Sequence, residues 1–301
     1  MRLKQFDLNL LVAFHALLEE HSVTRAAERL NMSQPAMSAA LRRLRQAFND
    51  EILIVHGKKM VPTSHAQGLA PLVTQALINM QALLSGSIVF DPATSQRVFR
   101  LAASDYITAV LIAPLLAELE TVTPGVRVEV VAPSSDSVTM LERGTLDFML
   151  TPEEFLTSNH PRHLLFEERH VVVGWNRNPI FSQPLTEAVF NAAGHVTVEI
   201  SGRPTFVDAL LKERGDHRRV EVVAPSFTIV PFMLPGTRRI ALMHERLAKV
   251  MLDKFPLTIA PMPFELPLMS EMIQYHGARA NDGGLNWLLG KLLAKAASTG
   301  V

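Results

Sequence analysis

The 301-residue chain has no cysteine, which excludes disulfides, thiol nucleophiles and Cys-ligated metal and fits a reducing compartment. It has no net charge either, with 29 Lys+Arg against 29 Asp+Glu, so overall charge offers no argument for a nucleic-acid partner. No apolar run approaches the roughly 18 residues of a membrane span. Arg2 and Lys4 are not followed by an uninterrupted apolar segment and a cleavage site, so no signal peptide is expected and the protein reads as cytoplasmic. Catalytic signatures are also missing: there is no Gly-x-Gly-x-x-Gly, phosphate loop, His-Glu-x-x-His or Gly-x-Ser-x-Gly. No histidine pair sits at metal-ligand spacing beside a carboxylate. Neither metal nor cofactor is expected, and a cytoplasmic α/β small-molecule-binding protein or enzyme stands only as the alternative reading.

What is present is concentrated at the start. Residues 1–62 hold nine Lys/Arg and six Asp/Glu, leaving 20 against 23 beyond, so a basic head precedes a slightly acidic body. Within the head, residues 23–30 read as a short helix capped by Ser22, with Ala26, Ala27 and Leu30 on one face. Asn31-Met32-Ser33 breaks it. Ser33 is placed to cap the next helix, and Pro35 falls in the first turn, where a missing N–H costs nothing. That helix keeps Met37, Leu41, Leu44 and Phe48 on one face and offers Gln34, Ser38, Arg42, Arg43 and Arg45 on the other. Two short helices, a tight turn and a basic outer face describe a helix-turn-helix that enters the DNA major groove, although a solvated charged helix gives the same local pattern.

The run Ala26-Ala27, Leu30, Ser33-Gln34-Pro35-Ala36-Met37-Ser38 and Leu41-Arg42-Arg43-Leu44 resembles the N-terminal signature of LysR-type transcriptional regulators. Asp7-Leu8-Asn9-Leu10-Leu11 and Met60-Val61-Pro62-Thr63 are similar to the subgroup of the nodulation regulators of rhizobia and the regulators of naphthalene and nitrotoluene degradation. The resemblance implies a sequence-specific DNA-binding regulator, an activator controlled by a small aromatic effector, with promoter DNA and RNA polymerase as partners and a homotetramer built from two dimers. The family pattern has an arginine where this chain has Val55, and His56 stands beside it as a substitute.

Residues 8–18 read as a scaffold helix with Leu8, Leu11, Val12, His15 and Leu18 inward. The β-branched run 52–55, a turn at 56–59 and Met60-Val61 read as a hairpin wing carrying Lys58 and Lys59 at its tip. Pro62-Thr63-Ser64 then starts a long helix to about residue 84. Its residues Ala66, Leu69, Val73, Ala76, Met80 and Leu83 recur at heptad spacing, which predicts a seam for a second copy of the chain. Residues 85–95 read as a hinge.

Beyond it strands and helices alternate. Strands are expected at 98–103, 126–131 and 147–150, with helices at 105–121 and 136–143. A second set follows: strands at 169–175, 195–200, 220–223, 227–233 and 240–242 around a helix at 205–214. Residues 272–295 cross back and end in a helix. Alternation of this kind means parallel βαβ units. Two such lobes resemble the periplasmic-binding-protein-like effector domain of LysR regulators, and Glu154-Phe155-Leu156, His160-Pro161-Arg162 and Leu165-Phe166-Glu167-Glu168-Arg169 are similar to the nodulation regulators. The expected organisation is therefore α/β: a winged helix-turn-helix domain (1–63), a linker or dimerisation helix and hinge (64–90), and a two-lobed α/β effector domain (91–301).

Open α/β sheets bind ligands at the carboxyl ends of their strands. Those ends nominate Ser104, Pro133, Ser134, Ser135 and Thr151 in the first lobe, and Ser201, Arg203, Phe206 and Phe227 in the second. Tyr275 and His276 lie on the return. Each also reads as a turn or core residue; together they describe a small apolar slot with hydroxyls and one arginine, suited to a phenolic or carboxylated aromatic. On the DNA side, Gln34, Pro35 and Ser38 are expected at base edges, and Thr24, Arg42, Arg43, Lys58 and Lys59 at phosphates, with Ser33 capping the recognition helix.

Overall fold

The computed structural model describes residues 6–56, 59–86, 90–157, 159–215 and 217–298. The chain divides into two compact units, Met1–Ile88 and Val89–Val301.

In the first unit, helices α1 (Asn9–Glu20), α2 (Val23–Arg29) and α3 (Gln34–Phe48) precede strands β1 (Leu53–His56) and β2 (Lys59–Pro62) and the long α4 (Ser64–Gly86). Local chemistry sets each boundary. The Ser22 hydroxyl accepts from the Arg25 N–H and the Ser33 hydroxyl from the Ala36 N–H, so both helices of the pair are capped as expected. The left-handed residues His21, Asn31 and Asn49 follow the three helices and turn the chain. The hairpin pairs His56 with Lys59, and the expected turn residues Gly57 and Lys58 lie outside the described residues. Ile52 holds a positive φ of 61°, which a β-branched residue reaches only under strain. Complete burial of its side chain and a 2.7 Å bond from its N–H to the Asp50 carboxylate keep it there, at the joint between α3 and the wing.

Two expectations for this unit need correction. In α1 the buried side chains are Leu10, Leu11, Ala13, Phe14, Ala16 and Leu17, whereas Leu8 and Val12 are exposed. Phe14 and Leu17 turn the inward face because they pack with Met37, Leu41 and Leu44 of the recognition helix in one core. The heptad seam of α4 is likewise not left free. Ala66 and Val73 are buried in the same core, with Leu69, Ala76 and Met80 packed at its margin. The side chain of Leu83 lies outside the described residues.

The second unit begins with β3 (Val98–Ala102), α5 (Asp105–Ile107), a π-helical turn (Thr108–Ile112), α6 (Ala113–Leu119), β4 (Arg127–Val131), α7 (Ser137–Glu142), β5 (Phe148–Pro152) and β6 (Arg162–Glu168). It continues through β7 (His170–Trp175), α8 (Glu187–Ala192), β8 (Gly194–Ile200), β9 (Arg203–Pro204), α9 (Phe206–Glu213), β10 (Arg219–Ala224), β11 (Ile240–His244), α10 (Glu245–Leu252) and β12 (Leu257–Ala260). Strand β13 (Met269–Gln274) and α11 (Gly283–Ser298) close it. The first lobe's sheet runs β4-β3-β5-β13-β6 and the second's β10-β8-β11-β7-β12, with the short β9 on β8. The chain passes between the sheets at β6 to β7 and at β12 to β13.

The parallel units expected are β4-β3-β5 and β10-β8-β11, whereas β13, β7 and β12 run antiparallel. Residues 227–233 form a turn rather than a strand. Pro231 removes an N–H from any ladder there, and the Asp105 carboxylate takes the N–H groups of Phe227 (3.2 Å) and Thr228 (2.6 Å). The two edge strands carry the same octapeptide, Arg-Val-Glu-Val-Val-Ala-Pro-Ser, at 127–134 and 219–226. In each, the glutamate is paired with an arginine, Glu129 with Arg100 and Glu221 with Arg239, which places charge along an otherwise apolar edge.

Candidate functional site

Two regions gather the chemistry. The first is the outer surface of α3. Its buried face, Met37, Ala40, Leu41 and Leu44, fixes the helix on the core, and this leaves Gln34, Pro35, Ser38, Arg42 and Arg43 exposed, with Thr24 exposed on α2. Ser33 is committed to its cap. Arg43 pairs with the Asp7 carboxylate at 3.0 Å. Hydrogen bonding from the Asn9 N–H, followed by Arg43, holds the Asp7 carboxyl below its usual range. Arg45 has a different task from its neighbours: its guanidinium donates to the carbonyls of Glu51 (2.9 Å) and Leu53 (3.1 Å), strutting the wing against the helix. Val55 is 74% exposed on that wing. Lys58 lies outside the described residues, and Lys59 is placed only by its backbone in β2.

The second region is a cavity of about 360 Å³ in the two-lobed unit. Ser104, Pro133, Ser134, Ser135, Thr151, Ser201, Arg203, Phe206 and Phe227 all line it, as the strand-end argument predicted. Each arrives there for a local reason. The Ser104 hydroxyl caps α5, accepting from the Ile107 N–H at 3.3 Å. The Ser134 N–H donates to the Ser137 hydroxyl at 3.0 Å, turning the chain after β4. Ser201 sits at φ 53° and donates from its hydroxyl to the Pro133 carbonyl at 3.0 Å, a bond from the second lobe to the first.

His276 and Tyr275 are corrections. Neither lines the cavity. They follow the carboxyl end of β13, and β13 runs antiparallel to β5, so that its amino-terminal half lies beside Thr151 and Pro152 at the cleft. The carboxyl end of an antiparallel strand is the far end. There His276 is buried against His160, ring centroids 4.4 Å apart, with its Nδ1 accepting from the Ala278 N–H, and Tyr275 stacks on His163. Burial, followed by the neighbouring His160, brings the His276 imidazole down to about 4.

Strand direction also explains what sequence reasoning missed. Met269 and Glu271 enter the cavity from the start of β13, His170 from the start of β7, and His244 from the end of β11. Tyr106 stacks on His244 with ring centroids 3.7 Å apart, and its hydroxyl donates to Glu168. Arg246 pairs with Glu168 at 3.3 Å. Burial, followed by Glu168 and Glu154, pushes the Glu271 carboxyl well above the usual range, which favours its protonated form. Burial brings His170 down to about 4; burial, then His170, brings His244 well below the usual imidazole range. The lining therefore has one exposed cation, Arg203, and the buried polar side chains of His170, His244 and Glu271, whose charged forms burial disfavours.

Among the described residues no cluster of His, Asp or Glu is arranged to hold a metal ion, and no described helix is long and apolar enough to cross a membrane.

Comparison with known proteins accounts for both regions. Residues 8–67 match the family described as bacterial regulatory helix-turn-helix protein, lysR family, and residues 92–297 match the LysR substrate binding domain. Nodulation protein D 2 of Bradyrhizobium elkanii is 40% identical over 299 residues, 99% of this chain and 90% of the relative. Nodulation protein D 1 of Rhizobium tropici is 40% identical over 98% of this chain and 97% of its own length. Among solved structures, the probable transcriptional regulator PA0477 from Pseudomonas aeruginosa is 32% identical, with a TM-score of 0.65 over 96% of this chain and 97% of that one. The chain belongs to the LysR family: it is a DNA-binding transcriptional regulator, not an enzyme, with a winged helix-turn-helix head and a two-lobed effector-binding domain.

Proposed function

We propose that the chain is a transcriptional activator whose signal is a small aromatic molecule bound in the 360 Å³ cavity. The observation carrying this reading is convergence: hydroxyls, phenyl rings and one arginine that are far apart in sequence line one cavity of a size suited to a two-ring molecule. Gln34, Pro35 and Ser38 read base edges; Thr24, Arg42, Arg43, Lys58 and Lys59 hold phosphates. The bonds Ser201–Pro133 and Thr228–Asp105 run between the lobes at the cavity, so an occupant that alters lobe closure changes them. Two copies pair through the exposed side of α4, where Leu72 is 67% exposed, and a tetramer built from two such pairs bends the promoter and contacts RNA polymerase.

Calorimetry of the full-length chain against flavonoids, salicylates and chlorophenols tests this. One class is expected to bind at about micromolar Kd, about 8 kcal/mol, and to change the footprint on the regulator's own promoter. Binding that is unaltered by Ser104→Ala and Arg203→Ala would remove the ligand from this cavity.

A further inference from the structure

The deepest lining groups of the cavity are polar and incompletely satisfied. His170 and His244 face each other across β7 and β11 and are 5% and 4% exposed; Glu271 on β13 is 1% exposed. Among the described residues, the Nδ1 atoms of both imidazoles and Oε1 of Glu271 are buried without a hydrogen-bond partner. Buried polar atoms left in this state are rare, and three around one cavity mark an arrangement completed by something else. Of the neighbouring polar groups, Tyr106 donates to Glu168 and the Arg246 Nη1 is held by the same carboxylate, while the Arg246 Nε is itself buried without a partner. The rest of the lining combines apolar and aromatic side chains with serine and threonine hydroxyls and Arg203, and Phe206 and Phe227 lie stacked near His170 and edge-on to His244 respectively.

We infer that the cavity selects a neutral hydroxyarene and takes it hydroxyl-end first, with the phenolic O–H on the His170, His244 and Glu271 floor and any anionic substituent outside at Arg203. This rests on the cavity being the effector site. A phenolic hydroxyl both donates and accepts, which matches the unpartnered Nδ1 atoms of His170 and His244 and Oε1 of Glu271, groups whose charged forms burial disfavours. An arene carboxylate carried to the same depth would lose its hydration beside Glu168 and Glu271, and Arg246, whose Nη1 pairs with Glu168, does not line the cavity to offset that loss. Arg203 is exposed at the rim, where a charge keeps its water.

The test uses the full-length chain at neutral pH and three probes that share one ring system: 2-naphthol, 2-naphthoate and naphthalene. 2-Naphthol is expected to bind at least about tenfold more tightly than 2-naphthoate, the worth of roughly one net hydrogen bond. His244→Phe keeps an aromatic ring on Tyr106 and removes the nitrogens; it and Glu271→Leu should each weaken 2-naphthol about tenfold and leave naphthalene unchanged. Glu271→Gln, which keeps a donor, should retain most of the affinity and serves if the leucine variant fails to fold. Arg203→Ala should affect 2-naphthoate alone. Tighter binding of 2-naphthoate than of 2-naphthol overturns the inference and leaves the aromatic-effector reading intact. Equal losses for 2-naphthol and naphthalene in the variants also overturn it, since the floor would then act through shape. If none of the three probes binds, the aromatic reading falls with it.

Discussion

Helix α4 presents two faces that a single substitution on each can separate. Val73 is 5% exposed and packed in the core that α1 and α3 build; Leu72, one residue earlier, is 67% exposed. Removing two methyl groups from Val73 by Val73→Ala forfeits about 0.8 kcal/mol per group plus a cavity term, about 2 kcal/mol in all. That loss falls on the head of each subunit. Burying a whole leucine gains about 2–3 kcal/mol, so covering the two-thirds of Leu72 still in water gains about 1.5–2 kcal/mol. A twofold interface uses the residue twice, giving about 3–4 kcal/mol, or about 10²–10³-fold in the dimer constant. Leu72→Glu should therefore move the dissociation midpoint by at least that factor and leave the thermal unfolding of the head almost unchanged. Val73→Ala should do the reverse. Sedimentation velocity over a wide concentration range reads the first quantity and thermal melts the second. Wild-type sedimentation of Leu72→Glu at every concentration would refute pairing through this face. Loss of the dimer in Val73→Ala without a change in the melt would refute the assignment of Val73 to the head's own core.

On the DNA face, Arg42→Ala should weaken binding to all sequences and lower the salt slope by about one, while Ser38→Ala relaxes preference at one base pair; titrations at several salt concentrations check both. Arg45→Ala should instead lower the stability of the head by about 1–2 kcal/mol, since it strands the Glu51 and Leu53 carbonyls, and a denaturant melt reads it. Asp282→Ala leaves the guanidinium of Arg97 short of its 2.8 Å partner and should cost about 3 kcal/mol in the two-lobed unit, visible as a lower unfolding midpoint. His170 is neutral in the folded chain at about 4 against an ordinary 6.5, so its contribution is present above about 6.5 and lost as pH falls toward about 4. His170→Phe should flatten the fall of Tm across that window by about one proton; identical slopes would contradict the buried neutral state.

What the sequence made legible follows the range of the physics involved. Caps, the turn at Asn31 and the buried stripe of α3 are decided within a few residues, so the helix-turn-helix could be read directly. Strand ends followed by Ser, Pro or Thr were nearly as clear, because the parallel strands β3, β4, β5 and β8 all deliver their carboxyl ends to the cleft. Strand direction is a non-local fact. Nothing near Met269 says that β13 runs against β5, and so His276 was nominated at the wrong end while Glu271 and His170 were passed over. The seam of α4 shows a related limit: heptad spacing reports that a face is buried, and the fold adds that the head itself covers Ala66 and Val73. The repeated octapeptide at 127–134 and 219–226 was available to inspection and would have shown more. Two identical segments ending in Ala-Pro-Ser imply equivalent edge strands in two related lobes. Yet the lobes use that equivalence differently. Pro133 and Ser134 reach the cavity, whereas the second copy gives way to Phe227 and Thr228, whose N–H groups the Asp105 carboxylate takes. The same eight residues thus build one wall of the cleft in one lobe and lead into a tie between the lobes in the other, a difference set by what each copy meets after folding.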